Sequence, residues 1–540
     1  MLRRSLLLVL LAACAPAAPP PAAAPPAQAH DHAAHDHTGA APEQLGSVAF
    51  PVSCSAEAQQ RFGRAVAMLH SFWFEEAEKA FSGVAEVDPK CAMAHWGRAL
   101  TLMGNLFAGP PPEANLKAAL AAAERAEALA GSASARERGY IAGALALTRD
   151  QERLSHAERM QRHEAALRAL RETAPDDMEA TIFYARAVIG NAPPSDLTFA
   201  RQKEAAAILQ PLFREHPNHP GLAHYLIHGF DSPQLAEYGL EAARAYAEIA
   251  PSAPHALHMP SHIFTRLGYW DESIETNRRS ANAEPVPDAA VHPLDYMVYA
   301  YLQQGRDRAA GEVVERVVQL PDRFYGGVIG YNFVAMPARF TLERGRWEEA
   351  SRLTMPTGAA PFVTAVAHFA RAIGAARSGQ PALAREEVAA LAALENTLEE
   401  QKNSYWTTIV GAQRLAATAW LARAEGRDEE ALRVARAAAE LEETIEKHPV
   451  TPGPLLPARE LLGDLLLELN RPAEARQAYE KSLEREPNRA RSLFGAARAA
   501  ELAGDLESAR TRYAELAQLM APSDGDRAEL RVAREFLARR

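Results

Sequence analysis

The chain has 540 residues, of which 48% are hydrophobic and 24% are charged, a composition typical of a folded protein. Its formal net charge of -11 argues against a nucleic-acid partner, because binding to phosphates needs clustered lysine and arginine. A single hydrophobic core rarely extends beyond about 250–300 residues, so a chain of this length is divided into domains or built from repeats.

The first 14 residues are typical of an export signal. Residues 1–4 are basic and residues 5–10 are apolar, but this apolar run is too short to span a bilayer. The sequence LAAC at 11–14 resembles a bacterial lipobox, which predicts lipid on Cys14. Ala15 rather than aspartate then favours the outer membrane, facing the periplasm. The alternative is an ordinary secretory leader in which the cysteine is incidental.

Residues 15–45 are rich in alanine and proline and contain two His-Asp-His triplets, at 30–32 and 35–37. Such a composition cannot bury enough apolar surface to fold, so we expect an extended tether. The triplets either bind a metal ion weakly or belong to a solvated linker.

The rest of the chain is predicted to be all-α. Proline or glycine interrupts the helical pattern at intervals of about 34 residues, as in AEARQAYEKSLEREPN at 473–488. No later apolar run is long enough to cross a membrane. We predict N-terminal repeats at 46–216, central histidine-rich repeats at 217–325, and C-terminal repeats with a cap at 326–540.

These units resemble the tetratricopeptide repeat (TPR) superfamily. The segments PNHPGLAHYLIHGFDSP and HALHMPSHIFTRLGYWDESIETN also resemble a family of exported bacterial TPR proteins. The resemblance implies a right-handed solenoid of roughly ten to twelve helix–turn–helix repeats. It implies no established activity.

The central repeats carry two pairs of histidines with helical spacing. His224 and His228 are four residues apart, and His258 and His262 repeat this pair one TPR length later, at about 34 residues. Residues four apart share a helix face, so the pairs are predicted to stack on neighbouring helices. Pro260 cannot lie inside a helix without a kink, so we expect that helix to start near Met259.

Imidazoles beside a carboxylate are common ligands of zinc, copper and iron. Alignment of the third repeat on its turn glycine, Gly305 against Gly268, places Asp295 beside His258 and Tyr299 beside His262. The predicted metal ligands are His224, His228, His258, His262 and Asp295. The predicted outer partners are His255, His292 and Tyr299.

Three functions remain open for this site. The histidines either bind a transition metal, pack as a structural lining, or bind a peptide or anionic ligand in the concave groove. Neither pair contains the glutamate of an HExxH metalloprotease, and no catalytic residue is identified. A metal-dependent enzyme of unknown reaction and a metal-free protein-interaction scaffold are the alternatives to simple metal binding. Asp231 is interpreted as a helix cap or as a partner of a metal-binding histidine.

Cys54 and Cys91 remain once Cys14 is assigned to lipid. They are 37 residues apart, each just before the first helix of a predicted repeat. In an oxidising compartment an even pair at matching positions predicts a disulfide. Two free buried thiols are the alternative.

Overall fold

The computed structural model describes residues 43–284, 290–320 and 329–539. The chain from Gln44 onward forms one compact unit. The predicted leader with Cys14 and almost all of the predicted tether lie outside the described residues. No described helix is both long enough and apolar enough to cross a membrane.

The described residues form helices joined by short connections, with no β-strand in those ranges. In the N-terminal part the helices are α1 (Ala56–His70), α2 (Phe74–Val87), α3 (Ala92–Met103), α4 (Glu113–Leu129), α5 (Ala135–Thr148), α6 (His156–Thr173), α7 (Met178–Gly190) and α8 (Ala200–Glu215). The central helices are α9 (Pro220–Phe230), α10 (Ala236–Ile249), α11 (Pro254–His258), α12 (Pro260–Leu267), α13 (Trp270–Ala283), α14 (Val291–Gln303) and α15 (Asp307–Val318).

The C-terminal helices continue the same pattern. They are α16 (Ile329–Glu343), α17 (Trp347–Ala350), α18 (Pro361–Arg377), α19 (Pro381–Glu400), α20 (Ser404–Ala424), α21 (Asp428–Glu442), α22 (Ala458–Glu468), α23 (Pro472–Arg485), α24 (Ala490–Leu502), α25 (Leu506–Leu519) and α26 (Ala528–Ala538). Successive helices pack on one another throughout. The prediction of an all-α repeat solenoid is confirmed.

Local sequence determines where these helices begin and end. Ser134 and Ser155 each accept a hydrogen bond from a backbone N–H in the first helical turn, and Glu137 and Glu158 complete a capping box at each position. Small residues let the helices approach closely, and alanine is the most frequent buried residue among the described positions.

Gly268 is required at the end of α12 for two reasons. Its φ of +67° lies in the left-handed region that favours glycine. A Cβ atom there would also lie 2.7 Å from the carbonyl oxygen of Pro487. The indole N–H of Trp270 donates to the carbonyl oxygen of Asn488 at 3.0 Å beside this turn. The central helices therefore pack directly against the connection between α23 and α24, near the other end of the chain.

Helix α12 begins close to the predicted start near Met259, but a short helix, α11, precedes it, so His258 already lies in a helix. Helix α11 ends at His258, Met259 keeps helical angles (φ -52°, ψ -37°), and α12 begins at Pro260. The break leaves His258 at the end of one short helix and His262 in the first turns of the next.

Candidate metal centre

Six histidines of the central repeats form two sets of three. Within each set, one nitrogen from every ring lies within 4.8 Å of the other two. The sets are His224, His228 and His255, and His258, His262 and His292. The structure thus brings together the four histidines predicted as ligands. It also places His255 and His292, predicted as outer partners, among the groups that offer a ligand atom.

The third repeat continues the period of the first two without an offset. The ring centroids of His258 and His292 are 4.4 Å apart, and those of His262 and Tyr296 are 4.9 Å apart. His292 and Tyr296 follow His258 and His262 at the same spacing with which His258 and His262 follow His224 and His228.

The placement of Asp295 and Tyr299 beside the histidines was therefore wrong. The carboxylate of Asp295 accepts hydrogen bonds from Arg339 at 3.3 Å and from Asn332 at 3.1 Å, and it is fully buried there. The hydroxyl of Tyr299 contacts Glu486 and Arg489 instead. The three extra residues of this repeat lie after the site, where they lengthen α14, and not in the linker before it.

Hydrogen bonds fix the orientation and tautomer of three rings. Nδ1 of His224 lies 2.6 Å from the carbonyl oxygen of His70, Nδ1 of His258 lies 2.7 Å from Oδ1 of Asn277, and Nδ1 of His262 lies 2.8 Å from Oδ2 of Asp231. Each partner is an acceptor, so each Nδ1 carries the proton. The orientation of the Asn277 amide follows from its Nδ2, which donates to the carbonyl oxygen of Ser273. Metal-binding histidines usually donate their second nitrogen to such acceptors.

The Nδ1 tautomer has an unusual consequence at His258 and His262. Their Nε2 atoms are 3.0 Å apart, and both rings already carry their proton on Nδ1. Two nitrogen lone pairs therefore face each other inside the protein, where both rings are 1% exposed. Two imidazole nitrogens bound tetrahedrally to one zinc ion at about 2.0–2.1 Å would be about 3.3 Å apart. A small adjustment would let one cation join them.

A proton is the simplest cation that could do so, but the surroundings oppose it. An imidazolium at His262 would lie near two cations, because Asp231 is already bonded to Arg266 at 2.8 Å and to Lys447 at 3.1 Å. Burial lowers the pKa of His262 by more than its bond to Asp231 raises it. Burial disfavours the charged form of Asp231, but Lys447, Arg266 and His262 outweigh this and hold its pKa well below the usual range.

Within the six central histidines, two further ring nitrogens are buried and have no partner among the described residues, Nε2 of His228 and Nδ1 of His292. Both histidines line a cavity of about 320 Å³, together with His255, His258 and His262. Phe74, Phe107 and Val450 form part of its apolar wall. Buried polar atoms are nearly always hydrogen-bonded, so unpaired nitrogens beside a cavity indicate a ligand position.

All six imidazoles are held in the neutral form that binds metal ions. Burial is the largest cause that lowers each pKa, and the neighbouring histidines lower most of them further. A neutral imidazole offers a lone pair without first losing a proton.

A third cluster, His70, Glu179 and His219, shows the contrasting case. Both oxygens of Glu179 are bonded, Oε2 to Nε2 of His70 at 2.9 Å and Oε1 to Nε2 of His219 at 2.9 Å. Nδ1 of His70 contacts the hydroxyl of Tyr225 at 3.0 Å. Every group in this buried cluster has a protein partner, so it needs no ion.

Several groups around the site were not found from the sequence. Asn277 lies on α13, and Lys447 and His448 belong to the connection between α21 and α22, which lines the cavity. Neither element has a motif that would point to the histidines. Asp231 contacts His262, Arg266 and Lys447. It is therefore a partner of a histidine in the candidate site, the second of the two interpretations made from the sequence.

Cys54 and Cys91 form a disulfide in the structure, with their Cα atoms 5.1 Å apart. Cys91 lies immediately before α3, and Cys54 lies two residues before α1. The bond therefore joins the starts of two first helices in neighbouring repeats.

The sequence model of the tetratricopeptide repeat matches residues 456–489, which comprise α22, α23 and the connections around them. No curated protein matches the chain significantly. Among solved structures, the human IFIT1 dimer with PPP-AAAA is 13% identical with a TM-score of 0.37, covering 85% of this chain and 89% of its own. Yeast Tom70 is 10% identical with a TM-score of 0.29, covering 89% and 95%. Naa15/Naa10 bound to HypK-THB is 11% identical with a TM-score of 0.24, covering 89% and 73%.

The matched repeat has the same construction as the units before it, with two helices joined by a tight turn and a short connection to the next pair. The period of the central histidines, about 34 residues, gives the same unit length without reference to that match. The chain contains a tetratricopeptide repeat at residues 456–489, within an all-α array of helix pairs.

Proposed function

We propose that this TPR protein binds a transition metal ion through His258, His262 and His292. The observation that carries the proposal is the 3.0 Å distance between Nε2 of His258 and Nε2 of His262, in rings whose Nδ1 atoms each face an acceptor. His292 supplies the third nitrogen through its unpartnered Nδ1. Three imidazoles leave a fourth position open toward the cavity, as in catalytic zinc sites.

Asn277 and Asp231 would orient two of these ligands. Each accepts the Nδ1 proton of its histidine, which keeps Nε2 available and raises its basicity. No carboxylate belongs to the set, which distinguishes it from the predicted ligand set that included Asp295. Imidazole ligands suit zinc, copper and iron, the three metals that the sequence suggested.

Elemental analysis tests the proposal. The parent should be the full chain without a purification tag, with H30A, H32A, H35A and H37A removing the histidines of the residue 15–45 segment. After loading with zinc or copper and dialysis, we expect bound metal in this parent and loss of at least one equivalent in H262A/H292A. The control H368Q changes a histidine on α18 that is bonded to Glu387 and does not line the cavity, and it should keep the parent's metal.

Equal metal content in the parent and H262A/H292A would contradict the proposal, provided that circular dichroism shows both folded. His292 is partly exposed to the cavity, so its replacement leaves the helix packing largely intact.

A second candidate, a metal-dependent enzyme, is favoured by a larger cavity beside the first. This cavity of about 540 Å³ shares His228, His448 and Phe107 with the smaller one. Its wall carries unpartnered polar atoms of His156, Gln202 and Ser232. Pockets of this size, largely apolar with a few convergent polar groups, are typical of small-molecule sites.

The enzyme candidate is tested with cobalt(II)-loaded protein and benzohydroxamic acid, whose oxygens bind metal ions and whose ring needs a cavity. We expect the visible cobalt spectrum to change in the parent and to respond more weakly in A192W, which fills the larger cavity. An unchanged parent spectrum would oppose an accessible metal position.

We also propose that the chain is a lipoprotein on Cys14, anchored to the outer membrane and facing the periplasm. The disulfide between Cys54 and Cys91 supports an oxidising compartment. Mass spectrometry of the mature N-terminus tests this. We expect an acylated Cys14 that disappears in C14S, and an unmodified N-terminus would contradict the anchor.

Repeat arrays of this superfamily bind protein partners along their surfaces. A protein or peptide partner in the concave groove is compatible with the metal proposal, because the ion would occupy only the cavity around the histidines.

A further inference from the structure

The second set of histidines has the geometry of a metal site in its own right. Nε2 of His224 and Nε2 of His255 are 3.1 Å apart, and the ring of His228 lies 4.9 Å from that of His224. Nδ1 of His224 donates to the carbonyl oxygen of His70, so its Nε2 carries a lone pair directed at this set. Nε2 of His228 is buried without a partner among the described residues.

The two sets adjoin each other. Ring centroids of His228 and His262 are 6.0 Å apart, and those of His255 and His258 are also 6.0 Å apart. Ions held by the two sets would therefore be neighbours, as in two-metal sites. Both sets line the same cavity of about 320 Å³, through His228 and His255 of one set and His258, His262 and His292 of the other.

We infer that His224, His228 and His255 hold a second metal ion beside the first, and that the six imidazoles together bind a pair of cuprous ions. This inference rests on the proposed function, because it adds a second ion beside the first and names the metal that both sets bind.

The charge of the site selects the metal. All six donors are neutral, and within the described ranges the carboxylate bonded to these rings is that of Asp231, which already balances Arg266 and Lys447. Repulsion between two neighbouring ions scales with the product of their charges, so two divalent ions repel four times as strongly as two monovalent ions. Copper is the metal among zinc, copper and iron that has a stable monovalent state, and imidazole suits it.

The cluster of His70, Glu179 and His219 is not assigned as a metal site. Its three side chains also offer ligand atoms within 4.8 Å of one another, but all of them have protein partners. Proximity of ligating residues alone does not assign a site. The two central sets differ because lone pairs and unpartnered nitrogens remain in them.

Anaerobic titration with copper(I) against the competing chelator bicinchoninate tests the inference, with the H30A/H32A/H35A/H37A full chain as parent. We expect two equivalents in the parent, one in H228A/H255A, one in H262A/H292A, and two in the control H368Q. The two paired variants change histidines that are partly exposed or lie beside the cavity, and circular dichroism establishes their folding. Zinc(II) titrated against a zinc chelator, 4-(2-pyridylazo)resorcinol, should stop at one equivalent in the parent.

The outcomes separate the two proposals. A single equivalent of copper(I) that H228A/H255A retains and H262A/H292A loses would overturn the second site and leave the proposed function standing. Two equivalents of zinc(II) would overturn the selection of a monovalent pair. No bound metal of either kind in the parent would overturn both proposals.

Discussion

His258 and His262 face each other through Nε2 atoms that are 3.0 Å apart, while Asn277 and Asp231 hold the proton of each ring on Nδ1. Neither Nε2 can donate to the other in this tautomer. The arrangement leaves an unsatisfied interaction in the interior, and a cation between the rings would satisfy it. This relationship is the basis of the metal proposal.

Removal of the acceptor behind His258 should weaken metal binding without changing a ligand. In N277L the ring loses its Nδ1 partner, and loss of such outer partners typically costs about 10–100-fold in metal affinity. We expect this decrease in competition titrations with a chelator. The neighbouring T276V removes a buried hydroxyl bonded to the carbonyl oxygen of Leu257 and serves as the control. Equal affinities in the two variants would show that Asn277 has no role in orienting His258.

Asp295 should contribute to stability and not to metal binding. Its carboxylate pairs with Arg339, and both side chains are fully buried. In D295N the guanidinium loses its partner, so we expect the free energy of unfolding to fall by about 3 kcal/mol. The exposed pair of Glu348 and Arg352 gives the control E348Q, with an expected change below about 0.5 kcal/mol. Loss of metal in folded D295N would restore Asp295 as a ligand.

The metal-free protein should lose stability as the medium becomes acidic. The pKa of each of the six histidines is lower in the folded chain than the ordinary value of 6.5, chiefly because of burial. The unfolded chain therefore binds more protons below about pH 6.5, and the free energy of unfolding decreases as the pH falls from there. Thermal melts between neutral and mildly acidic pH should show a falling Tm for the metal-free form.

Metal should protect the folded protein in the upper part of this range, because an occupied imidazole cannot take up a proton. The variant H262A/H292A/H228A/H255A should show a shallower dependence, since four of the six groups are absent. An identical pH dependence in this variant would place the responsible groups elsewhere.

The disulfide should stabilise the N-terminal repeats without affecting the metal. Cys54 and Cys91 close a loop with a sequence separation of 37 residues. Bonds of this kind typically contribute about 2–4 kcal/mol to the free energy of unfolding. We expect C54S/C91S to melt at lower temperature and to bind the same amount of metal. A change in metal stoichiometry would show that the disulfide positions α1, whose His70 carbonyl holds His224.

The repeat fold was predictable from the sequence because its signals recur at regular intervals along the chain. Turn glycines, closing prolines and a regular repeat spacing recur along the chain, so one misjudged unit does not change the fold class. The spacing of His224, His228, His258 and His262 likewise predicted a cluster, since two helix faces one repeat apart must lie side by side.

The exact ligand set and its hydrogen-bond partners could not be predicted, because they depend on features that leave little trace in the sequence. Asp295 and Tyr299 were misplaced because three extra residues could be assigned to a linker or to the end of α14, and turn glycines alone do not distinguish these. Asn277 and Lys447 reach the histidines from other elements, and only tertiary packing brings them there. The opposed lone pairs depend on hydrogen-bond geometry, which no residue pattern carries.

The most direct test of the central claim is anomalous X-ray diffraction from crystals of the metal-loaded chain, measured on both sides of the absorption edge of the bound metal. We predict a peak about 2.0–2.1 Å from both Nε2 of His258 and Nε2 of His262. Absence of a peak there in a fully loaded crystal, with the two nitrogens still about 3.0 Å apart, would contradict the proposed metal site.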